Sequence, residues 1–188
     1  WVEKEGLPVT EDYGVDLFNV PVEDWARHDC KGAAVHLKGR CDFSNMLLFE
    51  IGPGASTAPM KHLYEDVYYV LDGRGSTQVE LPNGEKRTFE WGPRSLFAVP
   101  LNTRHRDFNG SGQDRALIVS TTDLPLVMNT FHNEAFIFDN DFDFEERSGK
   151  EKYFSGEGDL ITVKPGNHMW ETNFVPDLAS IELHSWGD

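Results

Sequence analysis

The side chains able to do chemistry gather in two short stretches, Met60-Lys-His62-Leu-Tyr64-Glu65-Asp66-Val-Tyr68 and Arg104-His105-Arg-Asp107-Phe-Asn109. Alternate residues of an extended strand share a face. In the first stretch that rule groups Met60, His62, Tyr64, Asp66, Tyr68 and Val70 and sends Glu65 to the other side. In the second it groups His105, Asp107 and Asn109 and turns Arg104 and Arg106 away. His62, Asp66 and His105 are two histidines and a carboxylate. Such a donor set suits iron(II) or manganese when positions stay open for substrate or oxygen. Tyr64 and Tyr68, on the same face, are the candidate catalytic groups, since a phenol there could hydrogen-bond a ligand or move a proton. The competing reading is a polar pocket whose imidazoles are merely hydrogen-bonded. Met60 speaks for it, because a thioether is a poor partner for a hard divalent ion. So does Asp66, one methylene shorter than a glutamate.

The spacing carries more. From Gly54, five residues lead to Met60-x-His62, three more to Asp66 and six more to Gly73; later come Pro100-x-Asn102, two residues, His105, three residues and Asn109. This resembles the paired signature of the cupin superfamily: Gly, five residues, His-x-His, three or four residues, Glu, six residues, Gly; then Gly, five residues, Pro-x-Gly, two residues, His, three residues, Asn. Met60 stands in the first histidine slot and Asp66 in the glutamate slot. Arg94 and Asn102 stand in the two glycine slots of the second motif, and asparagine tolerates the left-handed backbone that glycine supplies there.

The resemblance implies an all-β fold, an antiparallel cupin jelly-roll barrel kinked ahead of the carboxylate. It also implies a divalent metal ion, iron(II) or manganese, held by His62, Asp66 and His105 with Met60 lining the site. The matching activity is a metal-dependent enzyme acting on a small organic molecule, as an oxygenase, decarboxylase, lyase or isomerase. The alternative is a metal-free cupin that binds a small ligand or serves as a structural or regulatory barrel. No phosphate loop, dinucleotide-binding glycine pattern, nucleophile elbow or catalytic cysteine pairing accompanies these residues.

The flanking elements follow from pattern. Residues 1–30 are polar, with Pro8 and Pro21, and read as an N-terminal arm over the barrel. Residues 31–121 carry short strands with turn signals at close spacing: Ala33–Lys38, Asn45–Ile51, Asp66–Leu71, Ser76–Leu81, Lys86–Trp91, Ser95–Val99, Arg104–Phe108 and Ala116–Thr121. Asp72-Gly-Arg-Gly75 and Pro82-Asn-Gly-Glu85 are the hairpin turns. Residues 122–188 form a C-terminal extension. Leu124–Phe131 reads as a helix with Pro125 in its first turn, and the acidic, aromatic Asp139–Glu146 as a solvated face. The apolar residues from Gly166 onward, Trp170, Phe174, Leu183 and Trp186 among them, need a covering surface, so a homodimer or a second cupin barrel is expected. Phe18-Asn-Val-Pro21 is loosely echoed by Asn173-Phe-Val-Pro176, as in one barrel of a two-barrel cupin.

The chain of 188 residues is long enough for a single substantial core. Its net charge of −15 disfavours nucleic acid and anionic membranes as partners and leaves a small-molecule substrate or ligand. No apolar run approaches a bilayer span, and the default compartment is cytoplasmic. Cys30 and Cys41 read as reduced structural thiols. His28, His36, His132, His168 and His184 match no motif and are assigned surface or structural roles, with His184 a candidate interface residue.

Overall fold

The computed structural model describes residues 1–39, 43–145 and 152–182. Cys41, the segment Glu146 to Lys150, and Leu183, His184 and Trp186 lie outside the described residues.

Strand propensity and turn chemistry lay out the middle of the chain much as its pattern predicts. Strands β1 (Val9–Asp12), β2 (Glu23–Trp25), β3 (Cys30–Leu37) and β4 (Asn45–Ile51) are followed by β5 (Asp66–Asp72) and β6 (Gly75–Glu80). Then come β7 (Lys86–Trp91), β8 (Leu96–Ala98), β9 (Arg104–Asn109) and β10 (Ala116–Thr122). Helices α1 (Leu124–Phe131) and α2 (Glu134–Phe138) precede β11 (Asp159–Lys164), β12 (Asn167–Glu171) and β13 (Phe174–Val175).

The large sheet runs β1-β3-β4-β10-β5-β8-β13, with β2 also on β3; the small one runs β7-β6-β9. Their inner faces share one core, in which Phe49, Tyr68, Val70, Phe97 and Ile118 meet Val79, Phe89 and Trp91. Among the described residues the two sheets face each other without a closed ring of ladder hydrogen bonds, so the barrel is an open-sided jelly roll. Strand β4 is buried nearly throughout because its other face is covered too. Ala33, Val35, Leu48, Leu117 and Val119 form a second cluster beneath Val15, Leu17, Val20 and Val22 of the N-terminal segment.

That segment does more than lie over the sheets. β1 pairs in parallel with β3, and β2 pairs with Cys30–Gly32, which starts β3 earlier than its apolar pattern does. Trp25, 1% exposed, enters the core from β2. At the far edge, Phe174 pairs with Phe97 and is buried. The β11–β12 hairpin turns Leu160, Val163, Met169 and Trp170 outward.

Helix α1 has the predicted bounds, with Pro125 in its first turn and His132 capping its end in the left-handed conformation (φ 49°). Asp123 at its start accepts a hydrogen bond from the backbone N–H of Glu65 at 2.8 Å. The N–H of Leu63 reaches the Ile137 carbonyl of α2 at 2.9 Å. These bonds hold the loop leading into Asp66.

Candidate functional site at the open end of the jelly roll

Met60 and His105 exchange both backbone hydrogen bonds, at 2.8 and 2.9 Å, which lays the loop before β5 against β9. The side-chain parity read from the sequence holds. Met60, His62, Tyr64, Asp66, Tyr68 and Val70 are buried while Glu65 is exposed; His105, Asp107 and Asn109 are buried while Arg104 is exposed. The structure therefore brings His62, Asp66, Tyr68 and His105 to one place.

Their hydrogen atoms can be followed. Nδ1 of His62 lies 2.9 Å from the Tyr64 carbonyl, and Nδ1 of His105 lies 3.1 Å from the Thr103 carbonyl. A carbonyl oxygen only accepts, so each Nδ1 carries the proton and each Nε2 presents a lone pair. Burial keeps both imidazoles neutral: it pushes His105 down to about 4 and His62 well below its ordinary value. The Tyr68 hydroxyl stands 3.1 Å from His105 Nε2 and 3.0 Å from Asp66 Oδ2. Asp66 Oδ2 is also 3.2 Å from His62 Nε2, which has no donor of its own. Two acceptor atoms thus face one phenol proton, and the lone pair on His62 Nε2 has no donor at all.

A protonated Asp66 balances the count, giving its O–H to His62 while Tyr68 gives its own to His105. Burial drives Asp66 the same way. It lifts the carboxyl to about 7 against the donors Ser120, Tyr68 and Thr122, of which Ser120 approaches Asp66 Oδ1 closely. Tyr64 completes the surround, its ring stacked on His62 at 3.7 Å and 8°.

This geometry bears on the metal expected from the motifs. Among the described residues no group of three histidine, cysteine, aspartate or glutamate side chains is placed to hold a metal ion. His62, Asp66 and His105 converge, but the Tyr68 hydroxyl fills the space between Asp66 and His105, and Met60 supplies no imidazole. The residues present do not fit the metal. Of the two tyrosines expected as catalytic groups, Tyr68 has its hydroxyl between Asp66 and His105, and Tyr64 is stacked on His62.

Deeper in, Asp107 accepts from Thr77 Oγ1 at 2.5 Å, and Thr77 accepts from the Trp91 indole at 3.0 Å. Burial lifts Asp107 to about 6. Asn109 spends its amide on the carbonyls of Ile51, Gly52 and Asp114 and holds the loops at the far end. Burial also pushes the Cys30 thiol up to about 12, which leaves it unreactive.

The residue that pattern misses is His28. It is 4% exposed, edge-on to Trp25 at 4.2 Å and to Phe49 at 5.6 Å, and neither ring nitrogen has a partner. Leaving a buried donor unpaired costs about 1–3 kcal/mol. Burial holds the ring neutral, down to about 3. No strand periodicity flags it, because it sits in the turn between β2 and β3.

His28 and His62 both line a cleft of about 330 Å³ at the open end, with Met60, Arg27, Lys61 and Arg104. Its far wall is the acidic stretch after α2, where Asp139 and Asp141 also line the cleft. That stretch is tied down by Asn102, whose amide donates to the carbonyls of Asn140 and Phe142 at 3.1 and 2.6 Å. Arg94 and Asn102, in the glycine slots of the second motif, both keep the left-handed backbone at φ 72° and 55°. With strand order, paired motifs and both left-handed turns in place, the architecture is decided. The fold is a cupin fold.

No family model matches the chain, and no curated protein matches its sequence. Among solved structures it is similar to tomato vicilin from Solanum lycopersicum (13% identity, TM-score 0.49, covering 59% of this chain and 32% of that one). It is also similar to the Cnp3 cupin domain of Schizosaccharomyces pombe (16%, TM-score 0.49, 62% and 72%). A third is the Lactobacillus farciminis oxalate decarboxylase formate complex (13%, TM-score 0.49, 62% and 40%). The chain thus spans about a third of the vicilin chain and under half of the decarboxylase. No helix among the described residues is long and apolar enough to cross a membrane.

Proposed function

We propose that this chain is a metal-independent cupin that binds a small polar molecule in the cleft at its open end. The observation carrying this reading is the Tyr68 hydroxyl, 3.0 Å from Asp66 and 3.1 Å from His105, where the motif pattern would seat a cation. A proton on Asp66 balances the donors and acceptors there without a metal. The network is almost sealed, and His62 is its one member lining the cleft. A bound molecule therefore meets the neutral imidazoles of His62 and His28 and a rim of charged side chains, an arrangement suited to recognition more than to bond-breaking.

The test is elemental analysis of the purified protein after incubation with iron(II) or manganese(II) and desalting. The expected result is metal far below one equivalent per chain. One equivalent retained by the wild type and lost from His105→Ala would restore the metal-dependent enzyme.

A further inference from the structure

The charges around the cleft are not equally committed. Arg27 gives two hydrogen bonds to Glu5, at 2.7 and 2.8 Å, and lies 3.8 Å from Glu134. Lys61 is paired with Asp143 at 3.2 Å. Arg104, Asp139 and Asp141 line the same cleft and are exposed, and none has a side-chain partner among the described residues. His28 lines the same cleft, buried, with both ring nitrogens unpartnered. A neutral imidazole has one N–H to give and one lone pair to fill. A chemically complete occupant therefore carries a negative group, a positive group and a neutral group able both to donate and to accept.

We propose that the cleft takes a small zwitterion, a free α-amino acid with a hydroxyl or carboxamide side chain, its carboxylate on Arg104, its ammonium on Asp139 or Asp141 and its side chain on His28. This rests on the cleft being the ligand site. A simple anion would leave the two carboxylates unanswered and approach a chain of net charge −15. A simple cation would leave Arg104 unanswered. The unpartnered nitrogens of His28 separate this cleft from an ordinary patch of surface charge.

Calorimetric titration of the wild-type chain at neutral pH tests the assignment, with L-serine, L-glutamine, propanoate, ethylammonium and manganese(II) chloride as separate probes. One or both amino acids should bind at least about tenfold more tightly than propanoate or ethylammonium. Arg104→Gln, a substitution on the surface, should weaken that binding about tenfold, a difference of about 1.4 kcal/mol. His28→Phe, which keeps a flat ring between Trp25 and Phe49, should do the same with an unchanged circular dichroism spectrum. Propanoate or ethylammonium binding as well as the amino acids would overturn the zwitterion while leaving a ligand cleft in place. No binding by any of the four organic probes also overturns it. Stoichiometric manganese in place of all of them overturns the metal-independent reading as well.

Discussion

His62 Nε2 and Asp66 Oδ2 lie 3.2 Å apart, and neither the imidazole nor an ionised carboxylate has a proton to put between them. The contact is favourable only while one proton lies between them, and burial favours that proton on Asp66 over a charged imidazolium. Its folded pKa of about 7 stands above the ordinary value of 3.8. The contribution of this group to stability is therefore fully present below about pH 4 and is lost as pH rises through about 7. The buried histidines run the other way. His28 and His105, held at about 3 and 4, favour the fold above about 6.5 and weaken it as pH falls. Asn at position 66 places an N–H where the acid has its O–H. Asp66→Asn should match the wild type near pH 4 and exceed it at pH 8, on the order of 4 kcal/mol at most. Denaturant unfolding at the two pH values reads the gap. A variant equally destabilised at both would mean that Asp66 is ionised in the folded chain.

The phenol that fills the metal position can be removed. Tyr68→Phe frees His105 Nε2 and Asp66 together, and Met60→His supplies a third imidazole beside them. The double variant should retain close to one equivalent of manganese(II) or iron(II), whereas Tyr68→Phe alone should bind weakly and lose about 1–3 kcal/mol of stability through the unpaired His105. Elemental analysis after desalting decides. A double variant as empty as the wild type would mean that the backbone no longer presents ligand geometry, with or without the phenol.

How far the chain could be read from its residues depended on what each element answers to. The bounds of β4, β7 and α1 were legible because Gly52, the Pro82-Asn-Gly turn and Pro125 punctuate them locally. The faces of Met60–Val70 and His105–Asn109 were legible because strand parity is local too. β1 and β2 were not legible: their residues are mostly polar and exposed, and only pairing with β3 makes them strands. His28 was hidden for the same reason, its burial being set by Trp25 and Phe49 and not by its neighbours in sequence. The role of Tyr68 was half legible. Parity puts its ring inward, but the position of its hydroxyl between Asp66 and His105 is a distance across strands, which no spacing along the chain encodes.

Gly75 sits where β6 passes β9, and a Cβ there would lie 2.0 Å from the Phe108 carbonyl oxygen and 2.5 Å from the Trp91 ring. Backbone must move to admit it. Gly75→Ala should cost about 3 kcal/mol or more. Gly84 offers a contrast, since its φ is 81° but a Cβ would meet nothing within 4 Å. Gly84→Ala should cost only about 1 kcal/mol, the left-handed penalty alone. Chemical denaturation midpoints of the two variants separate the effects, and equal losses would refute the crowding at Gly75.

Arg94 holds a left-handed backbone at φ 72° and gives two hydrogen bonds to Asp177, at 3.0 and 2.8 Å. Its carbonyl also accepts from the N–H of Leu178 at 3.0 Å, so this turn tethers the segment that carries β13. Arginine is a costly residue for that backbone, and glycine would hold it without strain. The guanidinium pair is solvent-exposed and contributes modestly. Arg94→Ala loses the pair and keeps the strain, whereas Arg94→Gly loses the pair and sheds the strain. The glycine variant should therefore melt a few degrees above the alanine variant, the reverse of the usual order for these two residues. Amide exchange around Phe174–Leu178 should quicken in both variants alike, because each has lost the Asp177 tether. Alanine melting at or above glycine would show that the left-handed turn carries no strain, and unchanged exchange would show that β13 is held by its pairing with β8 and the bonds of Ser95 and Leu178, without help from the Asp177 pair.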